Sequence, residues 1–65
     1  MTKKFSKFST GNQVFLPFSS EFSDEIFTVV STRVFGESFI INIESFDDGY
    51  IGLAVKEDDL EFIDL

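Results

Sequence analysis

The groups that could do chemistry in this chain are almost all carboxylates. Glu44, Asp47, Asp48, Glu57, Asp58, Asp59, Glu61 and Asp64 crowd the second half of the sequence. The pair Asp47-Asp48 and the run Glu57-Asp58-Asp59 could bring hard oxygen ligands together around calcium or magnesium. No calcium-binding loop with spaced acids and a central glycine accompanies them, so they read as solvated turn acids, and neither a metal nor a cofactor is expected. Histidine and cysteine both number 0, which removes the nucleophile-base pairs of hydrolases and the usual zinc and copper ligand sets. What remains is carboxylates, 8 serines, lysine and 1 tyrosine. A glycosidase-like carboxylate pair is chemically conceivable, but so small a domain has little room for a substrate cleft. No glycine-rich phosphate loop is present. The chain is therefore expected to bind a partner and not to be an enzyme.

Charge narrows the choice of partner. The formal net charge is -7, and it is unevenly spread: residues 1–12 hold Lys3, Lys4 and Lys7 with no acid, leaving Arg33 and Lys56 against all 12 acids in the remainder, a net -10. A surface of that sign repels nucleic acid, so direct nucleic-acid binding is not expected. Clustered carboxylates on a rigid sheet can instead imitate a row of phosphates and occupy a basic groove on another protein. The plainer reading is that a small, phenylalanine-rich chain needs net charge to stay dissolved.

Phenylalanine supplies 10 of 65 residues. With no disulfide or metal to staple the chain, burial of these rings has to stabilise it, each contributing roughly 1.5–3 kcal/mol when fully buried. The expected core is Val14, Leu16, Phe27, Phe39, Ile41, Ile43, Ile51, Leu53 and Phe62. Phe18, Phe22, Phe35, Phe46 and Tyr50 fall in loops or at strand ends. They read either as a protein-binding patch beside the acids or as a satellite cluster over one end of the core.

The elements that must position these groups are strands. The tract 1–10, rich in lysine and serine, reads as a flexible basic arm that docks late or stays disordered. Residues 11–65 read as one domain, since a chain of this size supports a single core. Gln13–Leu16 is the first strand, stopped by Pro17, and a serine-rich loop runs to Asp24. Across Glu25–Phe35 the apolar positions change parity between Val29 and Val34, which calls for a bulge or a strong bend. Gly36-Glu37 turns the chain into Ser38–Ser45, where Phe39, Ile41 and Ile43 share one face. Asp47-Asp48-Gly49 is a second turn signal, leading into Tyr50–Val55. Lys56–Asp59 reads as a charged single turn and Leu60–Ile63 as a short closing strand.

That order is carried by Gly11, Val14, Gly36, Gly49 and the segment Asp59–Ile63. It resembles the Src-homology-3-like small β-barrels, including the Tudor and KOW types, whose last strand is commonly entered through a one-turn element. The resemblance covers Gly11–Leu65 and implies an all-β, five-stranded barrel. It implies no particular ligand: proline-peptide binders of this fold use a groove with tryptophan and several tyrosines, and KOW-type members that hold nucleic acid use basic loops.

The expected function is that of an acidic protein-binding module. Its form would be a phage or mobile-element inhibitor, a DNA mimic or anti-CRISPR-like protein, that blocks a basic nucleic-acid-handling host protein. The competing expectation is an adaptor or subunit docking through an exposed phenylalanine patch. The first ten residues hold no apolar run like a signal-peptide core, and no segment has the length of a membrane span, so a cytoplasmic protein with no membrane contact is expected. An uncovered edge strand would allow a weak homodimer of an otherwise monomeric chain.

Overall fold

The computed structural model describes residues 5–63, and these form an all-β fold with almost no helix. The strands are β1 (Gln13–Phe15), β2 (Phe27–Phe35), β3 (Ser38–Ser45), β4 (Ile51–Lys56) and β5 (Glu61–Phe62), with a 3-10 turn, η1 (Glu57–Asp59), before the last. They make one antiparallel sheet in the order β4-β3-β2-β1-β5. Its ends, β4 and β5, share no ladder, so the sheet is open. Strand boundaries differ from the sequence expectation by one or two residues at most ends, where ladder bonds give way to turns.

The parity change in β2 is a bulge at Val30. Val29 faces Ile43 while Ser31 faces Asn42, so one residue of β2 has no counterpart on β3. The extra residue puts Phe27 and Val29 on the core face before the bulge, and Thr32 and Val34 on that same face after it. β3 alternates strictly: Phe39, Ile41, Ile43 and Ser45 are buried, and the residues between them are half-buried. Gly36, at φ +65°, takes the first central position of the two-residue β2–β3 turn, the place where a type II′ hairpin requires positive φ.

The core holds Val14, Leu16, Phe27, Val29, Phe39, Ile41, Ile43 and Leu60, joined by Phe8, with Ile51, Leu53 and Val55 packed half-buried against it. Phe8 belongs to the tract 1–10 that reads as an arm docking late or staying disordered, and it is part of the core. From Ser6 to Phe8 the chain is docked: the Phe8 ring is only 2% exposed and lies 4.7 Å from the ring of Phe62. The dock is fastened by Glu57, whose Oε2 accepts from the Ser6 hydroxyl at 2.8 Å and from the Lys7 N–H at 3.1 Å. Ser6 Oγ in turn accepts from the Phe8 N–H at 3.1 Å. Lys3 and Lys4 lie outside the described residues. Phe62, expected wholly inside, is 48% exposed, because β5 is an edge strand and covers the core only from one side. No helix among the described residues is long and apolar enough to cross a membrane.

Candidate functional site: an acid-rimmed apolar groove

Polar and apolar groups converge most clearly beside β5. Val14 pairs with Phe62 and Phe15 with Glu61, and antiparallel partners share a face. Val14 points into the core, so Phe15 and Glu61 point out of the sheet on the other side, and Ile63, two residues beyond Glu61, joins them. The ladder is prolonged past β5 by the Ile63 N–H donating to the Gln13 carbonyl at 3.1 Å. Facing this surface is the end of the β1–β2 loop. Together Phe15, Ser23, Asp24, Glu25, Ile26, Glu61, Phe62 and Ile63 line an open groove of about 460 Å³.

The loop wall is built by consecutive turns. The Ser19 N–H donates to the Leu16 carbonyl at 3.2 Å, the Phe22 N–H to Ser19 Oγ at 3.0 Å, and the Glu25 N–H to the Phe22 carbonyl at 3.1 Å. The half-buried Phe22 ring stands edge-on to Phe27 at 6.2 Å and anchors the loop to the core. The buried Ser45 hydroxyl donates to Glu25 Oε2 at 3.0 Å, tying the wall to β3. The result is an apolar floor of Phe15, Ile26 and Ile63 bordered by Phe62 and by the acidic residues Asp24, Glu25 and Glu61, with no cation in the lining among the described residues.

The sequence-expected acids are not one surface. Glu57 is 1% exposed and fastens Ser6 and Lys7, which removes it from any partner-binding face. Asp47 and Asp48 lie at the β3–β4 turn, while Asp58 and Asp59 lie in η1 at the other end of β4. At ~3.3 Å per residue, the strand sets these two groups on the order of 17 Å apart. The outward positions of β4 between them are Gly52 and Ala54, so no row of charge connects the groups. Glu44 is half-buried on the outer face of β3. Asp64 lies outside the described residues. Among the described residues, no three acids gather closely enough to hold a metal ion.

The aromatic set is divided too. Phe46 and Tyr50 are exposed and meet at 5.3 Å across the β3–β4 turn. The Tyr50 ring lies over Gly52, where a Cβ would come within 2.6 Å of its hydroxyl oxygen, so glycine at 52 makes room for the ring. Beside it is a second, smaller hollow of about 360 Å³ over Val30, Asn42, Glu44 and Ala54. Phe35 ends β2 opposite Ser38, the first residue of β3, and so lies on the order of 25 Å away along the strand. Phe18 is exposed in the β1–β2 loop, and Phe22 is an anchor of that loop, not a surface residue. Of the expected site residues among those described, only Glu61 lines the groove. Phe15, Asp24, Glu25, Ile26 and Ile63 were not among them, although strand alternation already places Phe15, an apolar residue between Val14 and Leu16, on the outward face.

Comparison with protein-family models, with curated proteins and with solved structures returns no match. The class defined by fold and site is thus an open, five-stranded antiparallel β module with an acid-rimmed apolar groove.

Proposed function

We propose that this chain is a protein-binding module that works without catalysis, and that the groove beside β5 is its binding site. The carrying observation is the meeting of an apolar floor with Asp24, Glu25 and Glu61 and, among the described residues, no cation. The chemistry that fits is a protein segment in which an apolar side chain is flanked by lysine or arginine, since the ring or aliphatic group fills the floor while the cations meet the rim. The net charge of -7 adds long-range attraction to any basic partner. Blocking of a basic nucleic-acid-handling protein, as a phage or mobile-element inhibitor would do, is the role that combines small size, acidity and this groove. The bulged β2 and the 3-10 turn before β5 support reading the open sheet as a relative of the Src-homology-3-like small barrels.

A second reading, an adaptor docking through an aromatic patch, draws on the exposed Phe46–Tyr50 pair. Titration of isotope-labelled protein with a short peptide of alternating leucine and arginine separates the two. Amide shifts are expected at Phe15, Ile26, Glu61 and Ile63, weakening as salt rises. The double substitution Asp24→Lys with Glu61→Lys is expected to lower the affinity at least about tenfold. Shifts centred on Phe46 and Tyr50 would favour the adaptor, and binding that ignores both salt and the double substitution would sink the groove.

A further inference from the structure

We infer that the free edge of β2 beyond its bulge pairs two copies of this chain, antiparallel and centred on Val34. The inference stands apart from the groove, whose wall at Ile26 precedes β2 and lies on the order of 25 Å from Val34 along the strand. β1 pairs with β2 only at Phe27 and Thr28. Next, the Gly11 N–H donates to the Val29 carbonyl at 2.9 Å, the Val29 N–H to the Asn12 carbonyl at 2.9 Å, and the Thr10 hydroxyl to the Val30 carbonyl at 3.1 Å. From Ser31 to Phe35 nothing among the described residues bonds to that side of the strand. In a hairpin closed by a two-residue turn, Phe35 and Ser38 exchange the first pair of bonds, as do Arg33 with Ile40 and Ser31 with Asn42. The N–H and C=O groups of Thr32 and Val34 therefore point outward along an unpaired edge.

This edge lacks the devices that usually protect one: it holds no proline and no acid, its single charge is Arg33, and Val34 and Phe35 are 63% and 64% exposed. In a chain of net charge -7, the span from Phe27 to Gly36 carries none of the 12 acids, so two copies approach each other here with the least repulsion.

The sequence of the edge also selects a second copy and a register. Antiparallel pairing with Val34 opposite Val34 of the second copy aligns their outward N–H and C=O groups. It sets Arg33 opposite Phe35 of that copy on the outer face, twice by symmetry, as a cation over an aromatic ring. Pairing one step toward the bulge would place Arg33 against Arg33, which like charges disfavour, and one step toward the turn would leave only Phe35 of the strand overlapped with its counterpart.

Sedimentation equilibrium tests this on the intact chain. The apparent mass is expected to climb from 7.4 kDa toward twice that value as concentration approaches about 1 mM. Added salt is expected to favour the dimer by screening the net charge, opposite in sign to its effect at the groove. Val34→Lys is expected to hold the chain at monomer mass with an unchanged amide spectrum, and Phe35→Ser to weaken the dimer at least about fivefold. A monomer at every concentration overturns the proposal, as does a dimer that persists in Val34→Lys, which would assign the contact to another surface.

Discussion

Phe27→Ala is expected to leave this chain largely unfolded in water at room temperature. Phe27 is fully buried at the point where the two halves of the sheet join: it pairs with Val14 of β1, and its ring meets Phe22 edge-on. Replacing a buried phenylalanine by alanine costs about 3–5 kcal/mol, through lost transfer energy and the cavity left behind. A 65-residue domain has only about 3–10 kcal/mol of net stability, so one such cavity can consume most of it. Phe35→Ala, at an exposed ring, is the matched control and is expected to stay within about 0.5 kcal/mol of the parent. Urea melts followed by circular dichroism read both. A Phe27→Ala protein that still melts cooperatively, within about 1 kcal/mol of the parent, would show that the core is centred elsewhere.

Glu57→Ala is the second large effect, expected at about 2–4 kcal/mol. The cost comes from the groups left behind. The Ser6 hydroxyl and the Lys7 N–H lose their acceptor, and the segment that carries Phe8 into the core loses its fastening. Glu57→Gln keeps a carbonyl oxygen that can take the place of Oε2 and accept both bonds, without the charge that strengthens them, and is expected to cost roughly half as much. In the alanine variant the Phe8 ring resonances should move toward solvent-exposed positions, since both bonds to Glu57 fasten the two residues just before Phe8. A loss of stability that leaves Phe8 undisturbed would separate the acid from the docking of the chain around it.

Much of the fold is legible in the residue order because strand parity is a strict signal. The alternation of Phe39, Ile41 and Ile43 places β3 without ambiguity, and the broken parity between Val29 and Val34 announces a bulge that the structure locates at Val30. Phe8 was not legible, because a lone ring among lysines and serines carries no period, and its burial depends on an acid 49 positions away in the chain. Glu57 was misread for a related reason. In the run Glu57-Asp58-Asp59 nothing in the composition separates the residues, and only the tight winding of η1 turns the first inward and leaves the other two in water. The groove was hidden more deeply, since its walls come from Ser23–Ile26 and from Glu61–Ile63, segments with no shared local pattern. The exposed Phe46–Tyr50 pair, by contrast, follows from a turn signal flanked by two aromatics.

The two halves of the sheet are not equally secured. β2, β3 and β4 run 9, 8 and 6 residues, whereas β1 has 3 and β5 only 2. Protection against hydrogen exchange should accordingly be highest at Ile41 and Ile43 and lowest at Phe15 and Phe62, where few ladder bonds need to break for a local opening. The groove stands on that weaker half. Any segment seated there would bridge the loop wall and the last strand, holding shut the part of the molecule that opens first. Occupancy of the site and persistence of the closing strand are then one equilibrium, and a ligand's grip can be read as slowed exchange at residues it never touches.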